Sequence, residues 1–119
     1  MIRVLVVDDH GMVRAGLCRL LDLESDLQVI GQAGCGHDAV QLCRELQPDV
    51  VVLDYNLPDI DGLETTRQIV DLKLGTRVLI LTMYANEEYA TRLIRAGASG
   101  FVVKAASEDE LLGAVRKVA

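Results

Sequence analysis

Two hydrophobic patterns alternate along this chain, and their alternation limits the fold more than any other feature of the sequence. Short unbroken apolar runs, such as residues 4–7 and 50–53, alternate with stretches whose apolar residues recur every three or four positions. Unbroken β-branched runs are typical of parallel strands buried on both faces, and the longer spacing is typical of amphipathic helices. Because the strand–helix unit occurs five times, the sequence predicts an α/β fold, a parallel sheet with helices on both faces.

The individual elements can be placed from the same patterns. Gln28 and Gln32 interrupt one run, which therefore predicts an edge strand, whereas Pro48, Gly97 and the Ser107-x-x-Glu110 capping box mark helix ends. We predict strands at residues 4–7, 27–33, 50–53, 78–81 and 101–103. The predicted helical faces are Val13, Leu17, Leu20 and Leu21; Ala39, Cys43 and Leu46; Leu63, Thr66, Ile69 and Val70; Ala90, Leu93, Ile94 and Gly97; and Leu111, Leu112, Val115 and Val118.

Length and composition narrow the possible functions. The 119 residues suit one domain, and the net charge of −6 argues against direct binding of nucleic acid or of an anionic membrane by these residues. No apolar run approaches the roughly 20 residues that span a bilayer. Three cysteines without a C-x-x-C pair are typical of a reduced cytosolic protein. Because the fifth helical pattern only just ends at Ala119, we expect residues 1–119 to be part of a longer protein.

Polar side chains follow four of the five predicted strands. Asp8 and Asp9 follow the first strand, Asp54 the third, Thr82 the fourth and Lys104 the fifth. Ligands of open α/β sheets bind at the carboxyl ends of the strands, so these five side chains are expected at one edge of one sheet. This convergence is the central functional signal of the sequence.

Each of these residues also has a purely structural interpretation. Asp9 could cap the first helix, Asp54 could belong to a turn, and Lys104 could be a solvated surface charge. Three carboxylates at one edge nevertheless repel one another, and a hard divalent cation would offset that repulsion. Oxygen ligands, with no His or Cys expected nearby, favour Mg²⁺ over zinc.

The same residues could carry out phosphoryl transfer. Asp54 could attack a phosphoryl group as a nucleophile and form an aspartyl phosphate. Mg²⁺ held by Asp8, Asp9 and Asp54, together with Lys104, would neutralise the transferring group. The Thr82 hydroxyl could donate to a phosphoryl oxygen after its loop moves inward.

At this point the sequence resembles the receiver domain of two-component response regulators over essentially its whole length. The segment Asp9-His10-x-Met12-Val13-Arg14-x-Gly16-Leu17 is most similar to the subfamily that joins a receiver to a C-terminal LuxR-type helix-turn-helix. The motifs that carry the resemblance are Val4-Leu5-Val6-Val7-Asp8-Asp9-His10, Asp54-Tyr55-Asn56-Leu57-Pro58-Asp59-Ile60-Asp61-Gly62-Leu63-Glu64, Leu81-Thr82 and Ala96-Gly97-Ala98-Ser99-Gly100-Phe101-Val102-Val103-Lys104.

The resemblance implies a fold and a role for each matching residue. The fold would be flavodoxin-like (CheY-like), with strand order 2-1-3-4-5. Asp54 would be the phosphoacceptor, Asp8 and Asp9 would bind Mg²⁺, and the backbone carbonyl of Asn56 would be a further metal ligand. Lys104 would match the family's lysine.

Two further residues would match the family's conformational switch. They are Thr82, the switch hydroxyl, and Phe101, the switch aromatic. Met83 and Tyr84 would border the phosphoryl site. Ala105 stands where many relatives have proline, so we predict a trans Lys104–Ala105 bond.

A receiver of this kind would not be an enzyme beyond its own phosphorylation and dephosphorylation. Its partner would be a sensor histidine kinase, and phosphorylation would favour a homodimer. It would act in the cytoplasm and control transcription through DNA binding by a C-terminal domain that these residues lack. The alternative is a stand-alone receiver that serves as a phosphorelay or protein-interaction switch.

Four other interpretations compete with this one. The segment from Gly34 to Ala39 fits G-x-G-x-x-A, but carboxylates after the first strand would repel the pyrophosphate of a dinucleotide and the phosphate of a flavodoxin cofactor. We therefore interpret Gly34 and Gly36 as turn residues. A haloacid dehalogenase-type Mg²⁺ phosphatase would need a second Asp where Asn56 stands. A degenerate receiver would lack one of the acidic residues or the lysine, whereas this sequence has all of them.

Overall fold

A computed structural model describes residues 1–83 and 86–119 of the chain. The described residues form five strands that alternate with five helices, as the hydrophobic pattern predicts. The elements are β1 (Ile2–Val7), α1 (Gly11–Asp22), β2 (Leu27–Ala33), α2 (Gly36–Leu46), β3 (Val50–Asp54), α3 (Gly62–Asp71), β4 (Arg77–Thr82), α4 (Glu87–Arg95), β5 (Gly100–Val103) and α5 (Glu108–Val118).

All five strands are parallel and lie in the order β2-β1-β3-β4-β5. The predicted α/β class and the flavodoxin-like strand order are therefore confirmed. The segment interrupted by glutamines is an edge strand, as predicted. The order places the carboxyl ends of β1 and β3 side by side, with β4 and β5 following on the same side.

The sheet separates two apolar layers. Because side chains alternate along a strand, Val51 and Leu53 enter one layer, whereas Val50 and Val52 enter the other. Helices α2, α3 and α4 cover the first layer, and α1 and α5 cover the second. Strands buried on both faces explain why their sequences are apolar without interruption.

The residues predicted to mark helix ends do lie at helix ends in the structure. The Ser107 hydroxyl accepts a hydrogen bond from the Glu110 N–H at 3.2 Å and caps α5. Gln47, directly before Pro48, ends α2 in a left-handed conformation. Gly97 follows α4 with φ of 106°, a conformation that favours glycine. The described backbone contains no cis peptide, so the Lys104–Ala105 bond is trans, as predicted.

The helical faces are partly different from the prediction. Val13, Val70 and Ile94 are exposed, whereas Cys18, which the predicted face of α1 omits, is buried. The interpretation of Gly36 as a turn residue is wrong, because Gly36 is the first residue of α2. A β-carbon there would collide with Ile60 and Thr65, so Gly36 allows close packing of α2 against the chain around α3. No described helix has the length and apolarity to cross a membrane.

Candidate acidic phosphoacceptor site

The carboxyl edge of the sheet brings together side chains from three strands. Asp8 directly follows β1, Asp54 is the last residue of β3, and Lys104 directly follows β5. Asp8 and Asp54 are fully buried, although aspartate is rarely found without solvent contact. The apolar layers on both sides of the sheet leave these carboxylates no access to solvent, so their charges must be compensated locally.

Lys104 provides part of that compensation. Its Nζ lies 2.9 Å from Asp54 Oδ1, and its side chain is one-third exposed. The Asn56 N–H donates to the same Asp54 oxygen at 3.2 Å. The second oxygens of Asp54 and Asp8, both Oδ2, are buried and have no hydrogen-bond partner among the described residues. Two buried anionic oxygens are thus left for a ligand that the chain does not supply.

Four residues place possible metal ligands together. Asp8, Asp9, His10 and Asp54 each offer one atom, and these atoms lie within 4.8 Å of one another. A divalent cation that takes oxygen ligands fits this donor set, since the orphaned carboxylate oxygens are acceptors only. The cluster supports the predicted cation site, whereas the expectation that no histidine lies nearby is wrong.

His10 is the functional candidate that sequence reasoning missed. It follows Asp9 directly, and its Nδ1 lies 2.9 Å from Asp9 Oδ1 and 3.4 Å from Asp8 Oδ1. His10 also holds the N-cap position of α1 without capping the helix through its side chain, so Asp9 is not the cap. Adjacency to Asp9 was a usable signal, but only the turn into α1 directs the imidazole to the carboxylates.

Arg14 braces the start of α1 against the sheet. Its Nη1 donates to the Asp8 carbonyl oxygen at 2.8 Å, and its Nε donates to Gln32 Oε1 at 3.2 Å. These bonds tie α1 to the ends of β1 and β2. The backbone that carries Asp8 is therefore fixed by a residue that was not predicted to belong to the site.

Thr82 is buried at the end of β4 and is linked to its neighbours on both sides. Its carbonyl accepts from the Lys104 N–H at 2.8 Å, and its side chain forms a hydrogen bond with Tyr89 of α4. Burial raises the pKa of Tyr89 to about 12 against the lowering effect of that bond. The Tyr89 ring also packs on Tyr55 with centroids 5.1 Å apart. A chain of contacts thus runs from the residue after Asp54 to α4 and Thr82.

The remaining predicted residues occupy different surroundings. Phe101 is half-buried in β5, where it packs on the first apolar layer. Met83 is exposed directly after β4. Asn56 is exposed and directs its N–H, rather than a side-chain group, at Asp54. Tyr84 lies outside the described residues.

The loop after β3 is held in a tight conformation that presents Asp54. The Gly62 N–H donates to the Tyr55 carbonyl at 2.7 Å, and a β-carbon on Gly62 would lie only 2.7 Å from Tyr55 Cα. In the same loop, the carboxylate of Asp59 accepts hydrogen bonds from the backbone N–H groups of Gly36 and His37, at the start of α2, at 2.8 Å each. Burial raises the pKa of Asp59, but these and neighbouring N–H groups together hold it well below its usual value.

Fold and site together define a class: a doubly wound, flavodoxin-like domain with an acidic cluster that faces a lysine. Comparison with known proteins gives the family. Residues 4–116 match the family described as "Response regulator receiver domain". The chain belongs to this family and is a receiver domain of two-component signal transduction, not a classical enzyme.

Individual relatives agree with this assignment. The chain is 46% identical over 118 residues to the response regulator GacA of Pseudomonas aeruginosa, a match that covers 99% of this chain and 55% of GacA. It superposes with a TM-score of 0.93 on a LuxR-family two-component response regulator from Aurantimonas, at 38% identity, covering 98% of this chain and 83% of that one.

A solved complex provides a third comparison. The CheX–CheY–BeF₃–Mg²⁺ complex of Borrelia burgdorferi contains a chain that matches with a TM-score of 0.91 at 26% identity, covering 98% of this chain and 88% of that one. The present chain spans about half the length of the curated relatives it matches, 55% of GacA among them.

Proposed function

We propose that Asp54 accepts a phosphoryl group from the phosphohistidine of a sensor histidine kinase, with a divalent cation such as Mg²⁺ in the adjacent pocket. One observation carries the proposal: the Asp54 carboxylate is fully buried, one oxygen contacts Lys104 at 2.9 Å, and the other has no hydrogen-bond partner among the described residues. A purely structural aspartate would have both oxygens satisfied.

Different groups of the chain would contribute to different parts of the phosphoryl transfer. A new P–O bond forms at Asp54 as the P–N bond of the donor breaks, and the bonding electrons return to the imidazole nitrogen of the donor. Lys104 balances the charge that gathers on the phosphoryl oxygens, and the Asn56 N–H orients the carboxylate. Phosphoryl transfer depends mainly on such positioning and charge neutralisation.

Asp8, Asp9 and Asp54, with the backbone carbonyl of Asn56, would hold the cation. When bound, Mg²⁺ supplies positive charge to the phosphoryl oxygens and offsets the repulsion among the carboxylates. The orphaned Asp8 and Asp54 oxygens support this assignment. The CheY relative described with Mg²⁺ and BeF₃ supports the choice of ion.

Phosphorylation would then change the conformation through Thr82 and Phe101. We assign the Thr82 hydroxyl as the donor to the phosphoryl group, which requires it to leave Tyr89. Phe101, half-buried beside α4, would turn into the space that this movement opens. The phosphoryl group would favour one of two pre-existing states rather than create a new one. Met83 would border the site and limit the access of water to the phosphoryl group.

The output of this switch is proposed from the relatives. The surface that would respond lies on α4, β5 and α5, and phosphorylation would favour a homodimer. In a longer protein like the LuxR-family regulators, dimerisation would deliver a C-terminal helix-turn-helix to DNA and control transcription. The free cysteines, described for Cys18, Cys35 and Cys43, support a reducing location such as the cytoplasm.

The proposal is tested by measuring intact mass after incubation with Mg²⁺ and a small acyl phosphate. The wild-type chain should gain one phosphoryl group, and Asp54→Ala should gain none. Asp109→Ala, which removes an exposed carboxylate from the first turn of α5, is the control and should behave as wild type. Uptake without a divalent ion, or equal uptake by Asp54→Ala, would refute the assignment.

A second measurement separates the possible outputs. Light scattering of the phosphorylated chain should report the mass of a dimer, and that of the untreated chain the mass of a monomer. A phosphorylated chain that stays monomeric would favour the alternative, a stand-alone phosphorelay or protein-interaction switch.

A further inference from the structure

We propose that His10 is a nitrogen ligand of the cation pocket, so that this receiver binds first-row transition ions such as Mn²⁺ and Co²⁺ in preference to Mg²⁺. The inference rests on the proposed cation site and specifies which ions that site selects. It concerns a residue outside the three acidic positions that the family resemblance supplies.

The His10 imidazole lies where it could bind the same ion as the neighbouring carboxylates. Around a six-coordinate ion with bonds of about 2.1 Å, adjacent ligand atoms lie about 3.0 Å apart and opposite ones about 4.2 Å apart. His10 Nδ1 lies 2.9 Å from Asp9 Oδ1 and 3.4 Å from Asp8 Oδ1, which are the separations of adjacent ligands. One atom from each of Asp8, Asp9, His10 and Asp54 lies within 4.8 Å of the others, so only a small contraction is needed.

Among the described residues, His10 pairs through its side chain only with carboxylates of the site, those of Asp9 and Asp8. It holds the N-cap position of α1 but makes no side-chain hydrogen bond to the helix. Its side chain is 68% exposed, so it contributes little to the core. The buried, unpartnered Oδ2 atoms of Asp8 and Asp54 independently indicate that a cation belongs beside it.

A nitrogen donor changes which ion the pocket prefers. Mg²⁺ favours oxygen ligands and keeps its waters, whereas imidazole suits first-row transition ions, whose affinities rise from Mn²⁺ through Co²⁺ to Cu²⁺. Replacing one water by His10 would therefore strengthen Co²⁺ or Mn²⁺ binding more than Mg²⁺ binding. With the three carboxylates, the Asn56 carbonyl and His10 as five protein donors, a six-coordinate ion would still have one position open for a phosphoryl oxygen.

His10→Gln tests the inference, because glutamine keeps a polar side chain and removes the imidazole nitrogen. Titration calorimetry with Co²⁺ should show the affinity of the variant reduced by roughly 10- to 100-fold, the usual cost of losing a metal-site partner. The affinity for Mg²⁺ should change much less. An unchanged ratio of Co²⁺ to Mg²⁺ affinity would overturn the inference.

Pulsed electron paramagnetic resonance of bound Mn²⁺ gives a direct readout. Nitrogen-14 modulation should appear in the wild type and disappear in His10→Gln. His37→Gln is the matched control, since His37 is 65% exposed and also lies beside a carboxylate, 2.7 Å from Asp59 Oδ2, but belongs to α2. Modulation that is absent from the wild type, or that survives in His10→Gln, would refute ligation by His10.

The two proposals can fail separately. If the wild type binds Mg²⁺ and takes up a phosphoryl group while His10→Gln keeps the same ion preference, only the role of His10 is wrong. If the wild type binds none of Mg²⁺, Mn²⁺ and Co²⁺, the cation site itself is wrong, and the inference falls with it.

Discussion

At the scale of single residues, the buried carboxylate of Asp8 lowers the stability of the folded protein when no ion is bound. It is fully buried, its Oδ1 accepts the His10 N–H at 2.8 Å, and its Oδ2 has no partner among the described residues. Asp9 and Asp54 lie in the same cluster, and Lys104 contacts Asp54. Burying an unsatisfied charged oxygen costs stability, so this arrangement favours binding of a ligand at the expense of the free protein.

Replacing that carboxylate should therefore stabilise the metal-free protein. In the variant Asp8→Asn, the side-chain amide would keep an acceptor for the His10 N–H, remove one negative charge and offer a donor to the neighbouring carboxylates. We expect the free energy of unfolding to rise by about 1–3 kcal/mol in chelator. Urea denaturation followed by circular dichroism measures it. Adding Mg²⁺ should then stabilise the wild type more than the variant.

The control for this prediction is Asp71→Asn, at the end of α3 far from the pocket. It removes an exposed carboxylate and should change the free energy of unfolding by less than about 0.5 kcal/mol. If Asp8→Asn is less stable than the wild type in chelator, the buried carboxylate is not a source of strain.

Some residues of the site could be predicted from the sequence, and others could not. Asp8, Asp54 and Lys104 were predictable because each directly follows an apolar run, and parallel strands bring their carboxyl ends to one edge. The contact of Thr82 with Tyr89 was not, because it depends on how α4 packs and on a side-chain rotamer. Local sequence does not encode such contacts.

At the scale of elements, the strands were easier to predict than the ends and exposed faces of the helices. Burial on both sides requires apolar residues at every position of β3, whereas a helix such as α1 can leave Val13 exposed within an apolar pattern. The start of α2 also depends on a distant residue. Its N-cap, Cys35, makes no side-chain capping hydrogen bond, and Asp59 caps the helix from the loop after β3.

Asp59→Asn should destabilise the protein in a pH-dependent way. Near neutral pH the loss should be about 1–2 kcal/mol, the usual cost of removing a helix cap. The pKa of Asp59 is lowered in the folded state, so its contribution is complete above the unfolded value of about 3.9 and is lost as the pH falls through the folded value. The difference between wild type and variant should thus be smaller at about pH 3 than at about pH 7 in urea denaturation.

His37→Gln separates the two ways in which Asp59 could act. The His37 Nδ1 lies 2.7 Å from Asp59, but the backbone N–H groups of Gly36 and His37 remain in this variant. If capping of α2 is the main effect, His37→Gln should cost much less than Asp59→Asn. Equal losses would assign the stability to the side-chain pair instead.

At the scale of the whole molecule, the site is connected to both apolar layers and to α4, part of the surface proposed to respond to phosphorylation. Asp8 and Lys104 extend from strands shared by both layers, whereas Tyr55 and Tyr89 pack on the first layer only. Thr82 links these parts, since its carbonyl accepts from Lys104 and its side chain bonds Tyr89. A movement of Thr82 toward a phosphoryl group would therefore release α4.

Tyr89→Phe tests this coupling because it keeps the ring that packs on Tyr55 and removes the hydroxyl, which forms hydrogen bonds with Thr82 and Tyr55. A hydrogen bond of this kind contributes about 0.5–1.5 kcal/mol, so the variant should take up phosphoryl groups from an acyl phosphate about 2- to 10-fold faster. Intact mass measured over time gives the rate. In a Thr82→Ala background the same substitution should have a much smaller effect, because only the hydrogen bond to Tyr55 is left to lose. An equal acceleration in both backgrounds would mean that Tyr89 acts on the site by a route that does not pass through Thr82.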